Sequence, residues 1–310
     1  MSADQNRPDP AAKRTPADAR PDWHETAPVV SIEDFSIDYA GERPVHAVVD
    51  VNLTLGRGEI LGLAGESGCG KSTLAYGITR LLQPPGLITS GRVVFHSREG
   101  YDIDLTTISG KQLREFRWDK IAMVFQGAMN SLNPVASIGA QLDDVFTTHR
   151  PTMKAKDRHA RCGELLERVG VGANRLRSFP HELSGGMRQR VMIAMALALD
   201  PQVLIMDEPT TALDVVVQRE ILDEITRLRQ EFGFAVIFIT HDLPLLLEIS
   251  DRIAVMKAGH IVELNDAYDL YTDPQDAYTK RLLASFPSLT GERGDFIRTG
   301  AMDDRLEEGR

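Results

Sequence analysis

Lys71 and Ser72 close the run Gly65-Glu66-Ser67-Gly68-Cys69-Gly70-Lys71-Ser72, which follows the apolar stretch Ile60-Leu61-Gly62-Leu63-Ala64 directly. A glycine-rich turn after a short buried strand is a phosphate cradle, because backbone N–H groups from Ser67 to Gly70 can converge on one anion where few Cβ atoms stand in the way. The Lys71 ammonium can reach β- and γ-phosphates, and the Ser72 hydroxyl can serve Mg²⁺. A helix expected from Ser72-Thr73-Leu74 turns its positive end to the same anion. A second group suited to chemistry ends the apolar run Val203-Leu204-Ile205-Met206 in Asp207 and Glu208. Asp207 can hold Mg²⁺ through water, and Glu208 can polarise an attacking water. Between them lies Leu183-Ser184-Gly185-Gly186-Met187-Arg188-Gln189-Arg190. Ser184 is placed as a helix N-cap, and the glycines permit a second anion site, although an ordinary capped helix behind a Gly-Gly turn has the same appearance.

Buried parallel strands are expected at Ile60–Ala64, Val203–Met206 and Ala235–Thr240, each a nearly unbroken apolar run that ends in polar residues, where nucleotides bind in open α/β sheets. From Val29 to about Leu55 apolar and polar residues alternate, which predicts an antiparallel sheet beside that core. Residues Leu132 to Phe179 turn to helical spacing, as Arg158–Val169 shows, and read as an inserted helical region. A closing hairpin is expected at Ile253–Met256 and Ile261–Leu264, turning at Gly259, followed by a mixed polar tail after Asp266. The expected fold is therefore α/β: a phosphate-loop core with an antiparallel β subdomain and an inserted α-helical subdomain. The expected divisions are a disordered leader over residues 1–28, a nucleotide-binding domain over 29–265 and an extension over 266–310 whose end, from Gly291, is disordered.

The chain has 310 residues, 42% of them apolar, with a net charge of −10. That balance argues against general binding to nucleic-acid phosphates, which needs clustered Lys and Arg. Two cysteines are too few for a disulfide framework or a four-ligand metal site. Cys69 reads as a small loop residue. Cys162, in step with Leu165, Leu166 and Val169, reads as core. The longest apolar stretch, Val191 to Met206, is cut by Asp200 and Pro201, so no membrane span is expected, and the leader lacks an apolar signal segment. A cytoplasmic location is expected.

A phosphate loop alone fits kinases, GTPases, helicases and transporters. The order of the motifs narrows this, because the chain resembles the ATP-binding-cassette ATPases, whose pattern is phosphate loop, glutamine loop, Leu-Ser-Gly-Gly, acidic strand, Asp loop and switch histidine. The resemblance covers about Val29 to Asp266. It implies MgATP as cofactor. Gln126, in Met123-Val124-Phe125-Gln126, matches the glutamine that touches Mg²⁺ and the attacking water, joining Ser72 and Asp207 as metal contacts. Asp214, in Ala212-Leu213-Asp214, matches the Asp loop, and His241 matches the histidine that contacts the γ-phosphate. Glu208, His241 and Gln126 are thus the implied catalytic set. Tyr39 stands where the family puts an aromatic ring on adenine. The implied nucleotide contacts are Tyr39, Ser67 through Thr73, Ser184, Gly185, Gly186 and Asp214. In the family, Leu-Ser-Gly-Gly of one subunit caps ATP held by the phosphate loop of another, so the catalytic unit is a head-to-tail dimer.

Transport, DNA repair or chromosome work, and translation are the three branches open to such a chain. Repair and chromosome ATPases place long coiled coils between the phosphate loop and the acidic strand, but only 135 positions separate Ser72 from Asp207. Translation factors carry two cassettes, and this chain carries one. The phrases Met129-Asn130-Ser131-Leu132-Asn133-Pro134, Phe179-Pro180-His181-Glu182 and Ala277-Tyr278-Thr279-Lys280-Arg281-Leu282-Leu283 resemble dipeptide and oligopeptide importers, and Leu183 to Leu197 resembles the first of their two unlike ATPase subunits. The resemblance implies a non-identical second ATPase, two transmembrane permease subunits and an extracytoplasmic solute-binding protein, with this chain peripheral on the cytoplasmic face of the membrane. The group also moves oligosaccharides and nickel. Two departures stand out: Gly127-Ala128 replaces the usual Asp-Pro, and the tail lacks the cysteines that bind an iron–sulfur cluster in some relatives.

Overall fold

The computed structural model describes residues 27–285 except Ala212. The disorder expected in the leader and from Gly291 onward falls on residues outside that range, although Pro28, assigned to the leader, already opens a strand. An antiparallel sheet of β1 (Pro28–Tyr39), β2 (Val45–Gly56), β4 (Gly86–His96) and β5 (Asp102–Asp104) runs in the order β2-β1-β4-β5. Beside it, β3 (Ile60–Ala64), β6 (Ile121–Val124), β7 (Val203–Asp207), β8 (Ala235–Ile239), β9 (Arg252–Lys257) and β10 (His260–Asp266) form a second sheet in the order β10-β9-β3-β8-β7-β6. Its strands pair in parallel except at the β9–β10 hairpin.

The central strands are apolar at every position because both faces of the sheet are covered. Leu61, Leu63, Ile205 and Ile237 face one core with Phe35 and Phe95 of the antiparallel sheet and with Leu74 and Ile78 of α1 (Lys71–Ile78). Their neighbours Ile60, Leu204, Met206, Val236 and Phe238 face the other core, shared with the helices. Gly77 lets α1 lie close on β1, since a Cβ there would stand 2.4 Å from Ile37 Cδ1. At about 1.5–3 kcal/mol for each large side chain buried, these two cores supply the main stabilisation of the frame that carries the loop.

The helical region contains α3 (Ile138–His149) and α4 (Ala155–Arg168), followed by α5 (Gly185–Ala196). Ser137 caps α3 by accepting from Ala140 N–H. Cys162 is core as expected, and burial, aided by Asp143, pushes its thiol up to about 11. Two stretches depart from the sequence reading. Strands β4 and β5 and helix α2 (Gly110–Phe116) have no apolar alternation to reveal them: the first seven residues of β4 are not buried, and backbone pairing to β1 holds them. The tail after Asp266, expected to be mixed and polar, forms α8 (Ala267–Thr272) and α9 (Ala277–Ala284) within the described residues. The remaining helices are α6 (Val215–Phe232) and α7 (Leu243–Ile249). Among the described residues no helix is long and apolar enough to cross a membrane.

Candidate functional site

The turn from β3 into α1 is held in one shape by close backbone walls. Gly65 lies at φ 147° and a Cβ on it would stand 2.2 Å from the Met256 carbonyl oxygen; Gly70, at φ 112°, would stand 2.2 Å from the Ala47 carbonyl oxygen. Only glycine fits either place. Gly70 is the N-cap of α1, which starts at Lys71, one residue earlier than the sequence suggested. Glu66, Ser67 and Gly68 are exposed at the crest, whereas Cys69 and Lys71 are buried. Lys71 Nζ donates to the carbonyls of Gly65 at 2.7 Å and Glu66 at 2.9 Å, with Cys69 Sγ at 3.6 Å. Ser72 and Thr73 follow in the first turn of the helix, so loop N–H groups, a cation and a helix N-terminus share one face.

The acidic end of β7 meets that face. Ser72 Oγ donates to Asp207 Oδ1 at 3.0 Å, while Asp207 Oδ2 is buried and has no hydrogen-bond partner among the described residues. Burial pushes the Asp207 carboxyl up, against the bond from Ser72. A hydroxyl, a carboxylate oxygen and an orphaned buried oxygen of the same carboxylate suit a hard divalent cation such as Mg²⁺, which takes one or two protein oxygens and completes its shell with phosphate and water. Glu208 adopts φ 46°, a left-handed conformation uncommon outside glycine, and its N–H is fixed to the Ile239 carbonyl at 2.9 Å. Its carboxylate gathers Thr211 Oγ1 at 2.8 Å, His241 Nδ1 at 3.1 Å and Gln126 Nε2 at 3.4 Å. Burial alone would raise the Glu208 carboxyl, but Thr211, His241 and the charge of Lys71 outweigh it and hold the group below the ordinary glutamate range. An ionised carboxylate, oriented by three neighbours beside the phosphate face, can polarise a water.

The structure thus brings together Lys71, Ser72, Asp207, Glu208, Gln126 and His241. Gln126 Nε2 donates to Glu208 rather than to Ser72 or Asp207. Tyr39 ends β1 with its hydroxyl 3.3 Å from Thr73 Oγ1, and with Tyr76, Leu81, Gln83, Pro84 and Phe125 it lines an open cavity of about 480 Å³. The signature segment does not join this group. Ser184 is exposed and caps α5 by accepting from Met187 N–H at 3.3 Å, and the nearest atoms to a Cβ on Gly185 or Gly186 belong to Leu213 and Val217. Asp214 is likewise an N-cap, accepting from Val217 N–H at 3.0 Å. Gly127, one of the two departures from the family wording, sits at φ 68° and so occupies a left-handed turn that glycine adopts freely. The sequence reading assigns no role to Thr211 or Tyr76. Thr211 had a local signal, lying three residues after Glu208; Tyr76, whose ring centroid is 6.1 Å from that of Phe125, had none.

The family profile described as "ABC transporter" matches residues 48–211. A shorter match, to a profile described as "AAA domain, putative AbiEii toxin, Type IV TA system", covers residues 178–248. The chain is 43% identical over 267 residues to the oligopeptide transport ATP-binding protein OppD of Bacillus subtilis (strain 168), covering 84% of this chain and 72% of that protein. It is 42% identical over 277 residues to a putative peptide import ATP-binding protein of Brucella abortus (strain 2308), covering 88% of this chain and 81% of the relative. Among solved structures, a dimeric post-hydrolysis state of the ATP-binding cassette MJ0796 bound to ADP and Pi superposes with a TM-score of 0.66 at 30% identity, covering 77% of this chain and 98% of that one.

Proposed function

The chain belongs to the ATP-binding-cassette transporter ATPases, and from that premise we propose that it is the ATP-hydrolysing motor of a peptide importer whose membrane pathway is built by separate permease subunits. The observation that carries the reading is the convergence on one face of the phosphate loop, the Ser72–Asp207 bond and an ionised Glu208 held by Gln126, Thr211 and His241. The peptide assignment is supported by the names of the two relatives described above.

In this reading residues 29–265 are the nucleotide-binding domain and 266–310 an extension characteristic of the importer group. The loop N–H groups from Ser67 to Thr73 and Lys71 bind the phosphates of ATP, and Tyr39 stacks on adenine. Ser72, Asp207 and Gln126 would hold Mg²⁺, which would supply Lewis-acid stabilisation of phosphate charge. Glu208 takes the role of polarising water, with Gln126 orienting that water and His241 contacting the γ-phosphate. The attacking water forms a bond to the γ-phosphorus as the bond to the β–γ bridging oxygen breaks, giving ADP and phosphate. Ser184, Gly185, Gly186 and Asp214 act on nucleotide held by a second cassette. The outward setting of Ser184 supports that arrangement, as does the dimeric state of the MJ0796 cassette.

The second cassette is a non-identical ATPase, and the pair drives two permease subunits fed by an extracytoplasmic solute-binding protein, with this chain on the cytoplasmic face of the membrane. Co-expression with candidate permease and ATPase subunits from the same genome tests the reading. The expected product is a membrane complex containing one copy of this chain whose ATP turnover rises with peptide-loaded binding protein. A native complex with two copies and no other ATPase would remove the heterodimer. Stimulation by oligosaccharide or nickel and not by peptide would reassign the solute.

A further inference from the structure

The phosphate loop is braced from behind by parts of the chain that follow it by nearly two hundred positions or more. Gly259 N–H, at the β9–β10 turn, donates to the Cys69 carbonyl at 2.9 Å, and Val49 N–H donates to the Gly259 carbonyl at 2.9 Å. The second brace comes from the tail. Tyr278, in the first turn of α9, is only 6% exposed, and its hydroxyl accepts from Glu66 N–H at 3.1 Å. The tyrosine has little freedom to leave. Gln275 N–H and Asp276 N–H donate to the Glu263 carboxylate on β10 at 2.7 and 3.0 Å, and Asp276 caps α9 through the N–H groups of Tyr278 and Thr279. Lys257 Nζ lies 5.1 Å from the centre of the tyrosine ring.

The Glu66 residue is thereby gripped at both ends: its N–H by Tyr278 and its carbonyl by Lys71 Nζ. Lys71 is the cation of the loop, and Glu66 is otherwise an exposed crest residue. We propose that Tyr278 is a positioning residue for nucleotide binding: through its hydroxyl the C-terminal tail fixes the Glu66 backbone and so sets the shape of the phosphate loop and the place of Lys71. The proposal rests on the loop being the ATP site. The tyrosine itself acts from behind, through Glu66, so its loss weakens affinity and leaves the chemical step intact.

Tyr278→Phe removes one oxygen and keeps the ring beneath Lys257, so the fold is retained. Three measurements read the effect: amide exchange at Glu66 in the nucleotide-free full chain, the Kd of that chain for MgATP and for ADP, and the division of any ATPase loss between KM and kcat in the assembled complex. The expected result is faster exchange at Glu66, with Kd and KM raised about threefold to tenfold, the scale of one hydrogen bond, and kcat within about twofold. Unchanged Glu66 exchange and unchanged Kd would overturn the proposal. So would a variant whose kcat and melting temperature fall while Kd holds, because that pattern is loss of structure and not of loop position. Wild-type protein that fails to bind ATP would instead sink the functional reading on which the proposal rests, so the two failures are told apart by the wild-type titration alone.

Discussion

Lys71 is buried and the loop that carries it is walled by the Ala47 and Met256 carbonyls, whereas Ser184 lies exposed and Val215 and Val216, at the start of α6, are 79% and 69% exposed. Both regions carry motifs of the family. The loop is completed by its own chain, down to the hydrogen bonds of its lysine. The signature side is a pair of capped helices with an apolar corner left in solvent, which is what a surface awaiting a partner presents. On the function proposed above, one chain holds a finished half-site and an unfinished one, and the two are expected to respond differently to substitution.

The largest effect is expected at the finished side. Glu208→Gln keeps the shape of the side chain but removes the carboxylate, so turnover falls roughly 10²-fold or more while MgATP affinity is retained. Parallel measurement of steady-state hydrolysis and fluorescent-nucleotide binding checks this. Near wild-type hydrolysis would move the role to another group, with His241 next to test. Lys71→Ala should act on affinity instead. Loss of a buried ammonium proposed to meet phosphate should weaken binding by about ten- to a hundredfold, measured by the same titration. Unaltered affinity would end the assignment of this loop.

Ser184→Ala sharpens the contrast. Nucleotide binding to the isolated chain should be unchanged, because the Ser184 hydroxyl is bonded to the N–H of Met187 in its own helix, while turnover of the assembled complex falls on the order of tenfold, with loss of the cap costing about 1 kcal/mol of stability. Reduced ATP affinity in the isolated chain would show that the two regions meet within one molecule. The smallest effect is expected at the foot of β3. Glu59 is fully buried, accepts from Gly56 N–H and pairs with Arg252, and burial pushes its carboxyl up to about 7. A carboxyl raised above its ordinary value of 4.5 is favoured by folding in its protonated form. Its contribution is full below about pH 4.5 and is lost as pH rises through about 7. Wild type should therefore lose stability relative to Glu59→Gln on the order of 1 kcal/mol between pH 5 and pH 8, read by denaturant titration at each pH. A difference that does not change with pH would mean that Glu59 stays ionised throughout.

Much of the finished side could be read from residue order alone. A phosphate loop needs glycine, lysine and serine at contiguous places because one turn of backbone must present several N–H groups to one anion, and such a requirement leaves its mark within eight residues. Unbroken apolar runs at Ile60–Ala64, Val203–Met206 and Ala235–Ile239 follow equally directly from a sheet covered on both faces. Order also placed Ser184 as an N-cap, since that bond spans three residues. Strands β4 and β5 escaped because the pairing of β4 with β1 and of β5 with β4 is made by backbone, which carries no residue pattern.

Distances between remote side chains were decided by the tertiary structure. Gln126 and His241 converge on Glu208 from separate strand ends, and the left-handed backbone at Glu208 that aims its carboxylate is held by a bond to Ile239. Tyr278 and Glu66 stand 212 positions apart, and no periodicity near either predicts that a tail helix returns to the loop. Local chemistry is written in neighbouring residues because the groups that share it are joined by short chain. Long-range contacts depend on the path that packing of the two cores imposes, and that path exists only once the chain has folded.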